Sequence, residues 1–280
     1  MSTKNTRGQG FTRPVKKFKP KKKLRKIEDP FVVAPPPGVS VKTRIRVTDE
    51  ELGKVLEIGM FLGALQREDL VNLLHRMSNG DDKAWAERKR DLTVESSARW
   101  AGSMTRVSHD LYDTAMRNLQ AYVLTLQTKV NILRTRTSLA FNSCDVKTRV
   151  KSYSNKHDKA WAKRRLAGLE HKLTEAENKL KTGKPSIVIG GRSLFRNRFN
   201  LDTTGCTLTQ WGRQWAAKRM FLTADGETGK HFGNETVWVD GQGFVHIKVP
   251  AGLTHKYGTH LTLTTPVEFA HKSEIHKDRI

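Results

Sequence analysis

Apolar and polar positions first fall into a regular pattern near residue 41. There Val41, Thr43, Ile45 and Val47 alternate with Lys42, Arg44 and Arg46. A period of two predicts a strand with one wet face. Thr48 follows with Glu51 three residues on, the signature of a capping box, and the helix it opens carries Leu52, Val55, Leu56, Gly59, Leu62 and Leu65 as a packing face. Asn79-Gly80-Asp81-Asp82 marks the next loop. Two longer helices follow. Leu111, Ala115, Leu119, Tyr122, Leu126, Val130 and Leu133 recur at three- and four-residue steps. Ala162, Leu166, Leu169, Leu173, Ala176 and Leu180 alternate four and three strictly, which predicts a coiled-coil-like seam. The connection between them is polar and contains Cys144, so the simplest arrangement is an antiparallel helical hairpin, ended by Gly183 and then Pro185.

After Pro185 the texture turns to β. Ser186-Ile187-Val188-Ile189 is a short apolar run, Gly190-Gly191 a turn, and Arg192, Phe195, Arg196, Arg198 and Phe199 mix cations with aromatics. A short helix is predicted over about 207–220, with Trp211 and Trp215 on one face. Thr236-Val237-Trp238-Val239 and Phe244 to Val249 flank Asp240-Gly241-Gln242-Gly243, a hairpin signal, and β texture continues through Leu261, Leu263 and Val267. These elements predict the α+β class, with a helical module (49–184) inserted between an early strand (39–48) and a later β-rich part (185–280).

Charge changes the picture more than composition does. The 280 residues hold 51 Lys and Arg against 28 Asp and Glu, a net +23. Residues 1–26 carry 11 basic and no acidic residues, 27–146 carry 16 of each, 147–198 carry 15 against 4, and 199–280 carry 9 against 8. The excess is therefore confined to two stretches, where self-repulsion calls for a polyanionic partner. In the first stretch Lys16, Lys17, Lys19, Lys21, Lys22, Lys23, Arg25 and Lys26 surround Phe18 and Pro20 without an apolar period, which predicts a disordered basic arm that condenses on phosphates. Ala34-Pro35-Pro36-Pro37-Gly38 then makes an extended linker, so that 1–38 is arm and linker. In the second stretch Lys159, Lys163, Arg164, Arg165 and Lys172 line one side of a helix, preceded by Lys147, Arg149, Lys151 and Lys156, with too few acids for i,i+4 neutralisation.

Arg192, Arg196 and Arg198 can fork onto phosphates, while Trp161, Phe195 and Phe199 can either stack on splayed bases or pack in the interior. Other chemistry is weaker. Asp225, Glu227, His231 and Glu235 run through loop glycines and read as a polar turn, and His255, His260, His271 and His276 lack the spacing of a zinc site. Neither a nucleophile elbow nor a P-loop is found, and Cys144 and Cys206 form no metal-binding pair. No metal and no cofactor is expected. No run approaches a membrane span, and a cytoplasmic, nucleoid-associated protein is expected.

The order of strand, basic helical hairpin, Gly190-Gly191-Arg192-Ser193-Leu194-Phe195-Arg196, Trp-containing helix, Phe221-Leu222-Thr223-Ala224-Asp225-Gly226-Glu227, Phe232-Gly233-Asn234-Glu235-Thr236 and hairpin resembles the N-terminal half of TnpB-type transposon-encoded proteins. It is most similar to their actinobacterial group, relatives of the type V CRISPR effectors, over roughly 40–280. The resemblance implies a β-barrel "wedge" domain, with Val41–Val47 as its first strand, 49–182 as a helical recognition insertion and 185–280 as part of the returning barrel. It implies binding of a structured guide RNA and of DNA. The family's RuvC-like metal-binding acids and its zinc ribbon lie beyond Ile280. The resemblance therefore implies a truncated copy or one product of a split gene, without nuclease activity of its own. The alternatives are a subunit acting with a separate RuvC-like chain, and an RNA-binding structural protein of ribosome or virion.

Overall fold

The computed structural model describes residues 44–80, 85–226 and 233–267. All of them belong to one compact unit, 42–280. The basic arm, Lys16 to Lys26, lies outside the described residues.

The capping box predicted at Thr48 is present: its side chain accepts the Glu51 N–H, and the Glu51 carboxylate accepts the Thr48 N–H at 2.8 Å. It opens α1 (Asp49–Ser78). The second oxygen of Glu51 accepts the N–H of Thr264 at 2.6 Å, so one buried carboxylate ties the helix start to the chain leaving the sheet. These amide donors, Thr264 first and Thr48 next, hold its pKa down at about 2. The packing face of α1 is partly turned from the expected one. Of the expected face Gly59, Leu62 and Leu65 are buried, whereas Leu52 and Leu56 remain exposed and Ile58, Leu70 and Leu73 are buried in addition. Gly63 explains part of the turn. A Cβ there would stand 2.2 Å from the Arg219 carbonyl oxygen, so the helix can meet the segment after residue 219 only on its glycine side.

α2 (Trp85–Glu95) and the long α3 (Ala98–Ser138) pack on α1. Arg88 and Asp69 join α2 to α1 through two parallel hydrogen bonds of 2.8 and 2.7 Å, both side chains buried. α3 then runs out to form a hairpin with α4 (Lys156–Lys181), as predicted. The seam is Val123, Leu126 and Ala176, flanked by Leu119, Leu169, Leu173 and Leu180. Gly183, at φ +64°, ends α4: its N–H bonds the Leu180 carbonyl and that of Lys184 bonds Lys179, a complete Schellman motif.

Beyond it come α5 (Arg192–Asn197), the single turn α6 (Leu201–Thr204) and α7 (Leu208–Arg219). A capping box of Thr207 and Gln210 starts α7 where the sequence places it. The hairpin of β1 (Val237–Val239) and β2 (Val245–Lys248) is also as predicted, with Val237 opposite Ile247 and Val239 opposite Val245. The Asp240 side chain accepts the N–H groups of Gln242 and Phe244 within the loop. A turn over 251–253 and the single turn α8 (Thr254–Tyr257) lead to β3 (His260–Thr262), antiparallel to β2.

The α+β class holds, but the barrel does not. The described residues form one three-stranded antiparallel sheet, β1-β2-β3. Residues 44–47 of the expected first strand join no sheet, Ile45 stays 46% exposed, and 41–43 lie outside the described residues. The run 186–189 is no strand either: Ile187 and Ile189 pack against Leu70, Leu73 and Tyr112. Alternation records a wet and a dry face but names no neighbouring strand, and here helices supply the dry contact. The main core joins α1, α2, the start of α3 and the inner sheet face, including Leu62, Trp100, Met104, Val245, Ile247 and Leu263. The fully buried Trp100 donates its indole N–H to the Lys248 carbonyl at 2.9 Å, fixing the root of the helical hairpin to the sheet.

Candidate nucleic-acid interface

The basic residues of α4 reach the surface in two groups. Lys156, Lys163, Arg164 and Arg165 are exposed, and none is ion-paired among the described residues. Lys159 is committed elsewhere. Its Nζ donates to the Leu139 carbonyl at 2.6 Å and lies 4.9 Å from the Phe141 ring centroid, so it caps the C-terminal end of α3. Trp161 is 62% exposed. With Arg164 and Arg165 it edges a shallow cleft of about 650 Å³ lined also by Leu133, Arg136, Tyr153, Ala162 and one carboxylate, Asp158. The Arg136 guanidinium lies 4.1 Å over the Tyr153 ring, so the cleft carries both charge and flat apolar surface.

The second group makes a groove of about 730 Å³ between the hairpin and α5. Lys172 and Lys179 of α4 line one wall, Arg192 and Arg196 of α5 the other, and Tyr122 and Phe195 add aromatic surface. One carboxylate, Glu175, lines it as well, 3.6 Å from His171. One guanidinium nitrogen of Arg192 donates to the Ser186 carbonyl at 2.9 Å, which steadies the side chain while its other donors remain at the wall. Arg198 sits outside the groove, its guanidinium 5.0 Å from the Phe195 centroid and 4.5 Å from that of Phe199.

Stacking fixes α5 in place. Trp211 and Trp215, one turn apart, stack at 5.6 Å and 15°. Phe195 leans on Trp215 at 5.9 Å, and the Trp211 indole donates to the Leu194 carbonyl at 2.7 Å. Gly190 makes the fit possible, since at φ +97° any Cβ would stand 2.8 Å from the Trp215 ring. Neither phenylalanine belongs to a buried cluster. Phe195 is 36% and Phe199 65% exposed.

Two groove residues escape a sequence reading. Tyr122 fits the apolar step of α3, yet it is 48% exposed and Val123 takes its place in the seam. Lys179 is one of many basic residues near the end of α4, and only the approach of α5 distinguishes it. A signal for Tyr122 was available: Val123 lies three residues before Leu126 and seven before Val130, on the face those two share.

Among the described residues no group of three or more His, Cys, Asp or Glu is placed to hold a metal ion, and of the acid-and-histidine turn only Asp225 and Glu235 are described. Asp225 receives two hydrogen bonds from Arg106, of 3.0 and 2.6 Å, and one from Ser103 at 3.0 Å. Arg106 is held more firmly protonated by that carboxylate. Glu227 and His231, like His271 and His276, lie outside the described residues. Among the described residues no helix is long and apolar enough to cross a membrane. The chain matches no family model, no curated protein and no solved structure.

Proposed function

We propose that the protein binds nucleic acid, gripping structured RNA and secondarily DNA through their phosphates, and that its hairpin is the principal grip. One observation carries this reading. Residues 147–198 hold 15 basic residues against 4 acidic ones, and within them Lys156, Lys163, Arg164 and Arg165 are exposed and form no ion pair among the described residues. A helix face that is merely solvated gains nothing from such an excess, because like charges repel. A phosphate-binding face does.

Binding of this kind is driven by counterion release. A protein engaging 6–10 phosphates loses about 10³–10⁵ in affinity between 50 and 200 mM salt. Substituting Lys156, Lys163, Arg164 and Arg165 by glutamine removes four exposed cations. The slope of log K against log salt should then flatten by about 3–4 on duplex RNA, at roughly 0.9 for each phosphate no longer neutralised. An unchanged slope in a variant whose circular dichroism matches wild type refutes the hairpin's role.

Kinship with TnpB-type proteins and a guide-like RNA as the bound species belong to the same proposal, supported by the order of motifs. Sequencing the RNA that copurifies with the full chain tests them. One structured species supports the guide reading, and a mixture of cellular transcripts removes it while leaving general RNA binding in place.

A further inference from the structure

We infer that the groove between the helical hairpin and α5 takes an unpaired stretch of the nucleic acid, with bases on its aromatic and aliphatic surface and phosphates on its rims. The inference rests on the proposed nucleic-acid binding and adds which form of the polymer enters this site. Two features of the groove point the same way. Its rims are cationic on both sides, with Lys172 and Lys179 facing Arg192 and Arg196 and only Glu175 opposing them, which selects a polyanion. The rest of the lining is mostly apolar, with Thr114, Asn118 and Ser186 as its uncharged polar members, and includes Tyr122 and Phe195.

A double helix does not use such an interior. Its bases are stacked inside, and an A-form duplex offers ribose hydroxyls and phosphates to a protein surface. Unpaired bases present a π-face that an exposed tyrosine can cover, and each stacked base contributes about 1–3 kcal/mol. The size agrees as well. At about 730 Å³ the groove falls in the range of sites that hold small ligands, enough for a short single-stranded segment. Acidic peptides satisfy the rims but leave the aromatic surface without a flat partner.

Tyr122 is the residue to test. It is 48% exposed on α3 and lies outside the buried seam, whereas Phe195 also supports Trp215 and would confound a change in binding with a change in packing. The full chain is titrated, by fluorescence anisotropy at one fixed salt concentration, with a 12-nucleotide oligouridine and with a 12-base-pair RNA duplex. Tyr122→Ala should weaken the oligouridine about 5- to 150-fold, the equivalent of one stacked base, and move duplex affinity by less than about 2-fold. Tyr122→Phe should restore single-strand affinity. With the oligouridine titration repeated over a salt series, replacing Lys172 and Lys179 by glutamine should flatten the single-strand salt slope by about 1.4.

Equal losses on both probes, or no loss on oligouridine, overturn the inference while leaving nucleic-acid binding intact. Tyr122-sensitive binding to vesicles of anionic lipid, with oligouridine unbound, also overturns it. Failure of both RNA probes to bind even at low salt removes the underlying function together with the site.

Discussion

Replacing Asp69 by leucine should cost this fold more than any surface change. Asp69 and Arg88 have side-chain exposures of 1% and 3% and share two hydrogen bonds of 2.7 and 2.8 Å. Removing the carboxylate leaves a guanidinium buried without its counter-ion. Breaking a buried pair in this way costs about 3–5 kcal/mol, a large share of the roughly 5–15 kcal/mol that holds a typical domain. With a urea m-value near 3 kcal/mol/M, the midpoint should fall by about 1–2 M. Replacing both partners, Asp69→Leu with Arg88→Met, removes the orphaned charge and should return stability to within about 1 kcal/mol of wild type or above it. Equilibrium unfolding followed by far-UV circular dichroism and by tryptophan fluorescence measures all four corners of the cycle, the buried Trp100 reporting on the adjoining core. A cost below about 1 kcal/mol for Asp69→Leu alone, with m unchanged, would refute the reasoning, because the pair would then not be desolvated as its burial indicates.

Gly190→Ala should loosen the groove wall without unfolding the core. The new Cβ meets Trp215 at 2.8 Å in a backbone conformation that disfavours it, so a local cost of about 1–3 kcal/mol is expected, read as faster amide exchange over 192–197 and weaker RNA binding. Glu51 gives a pH dependence whose sign is fixed. Its folded pKa of about 2 lies below the ordinary 4.5, so its contribution is complete above pH 4.5 and is lost as pH falls towards 2. Urea midpoints of wild type and Glu51→Gln should converge between pH 5 and pH 3, and a constant gap would contradict the assignment. Asp240 acts in the same direction, its carboxyl lowered first by the hydrogen bond with His246 and then by the loop amides, so part of the acid sensitivity survives in the Glu51 variant.

The features legible in the sequence are those set by neighbours a few residues away. Thr48 with Glu51 and Thr207 with Gln210 mark helix starts because hydroxyl and carboxyl or amide reach each other only across one turn. Gly183 marks an end because the left-handed conformation suits glycine, and the seam from Ala162 to Leu180 is legible because its period is strict over the whole helix. What escapes is set at long range. Arg192–Asn197 looks like β texture, yet it becomes helix where the Trp211 indole reaches back 17 residues to the Leu194 carbonyl. The groove follows from that hydrogen bond, so its two rims, each visible as a basic cluster, could not be placed opposite one another from spacing alone. The expected barrel fails for a similar reason, since residues 44–47 alternate correctly without a described strand beside them.

The acids of the basic stretch give the strongest reason to expect a ligand. Residues 147–198 hold only Asp158, Glu170, Glu175 and Glu177. Asp158 serves the start of α4, where its N–H and its carboxylate both bond Asn155 at 2.8 Å. Glu170 crosses the seam to Arg134 at 2.7 Å and Glu177 to Gln127 at 3.0 Å, while Glu175 lies 3.6 Å from His171. Glu170 and Glu177 thus hold the two helices together, Asp158 serves the start of α4 and Glu175 a contact within it, and none of the four forms an ion pair with Lys156, Lys163, Arg164 or Arg165. A Debye length of about 10 Å at 0.1 M salt leaves neighbouring cations on one helix face poorly screened from each other. The hairpin therefore stands under a repulsion that its own residues do not relieve. On the proposed function, phosphates along a strand would relieve it by displacing counterions, so the surface would be least favourable alone and most favourable when occupied.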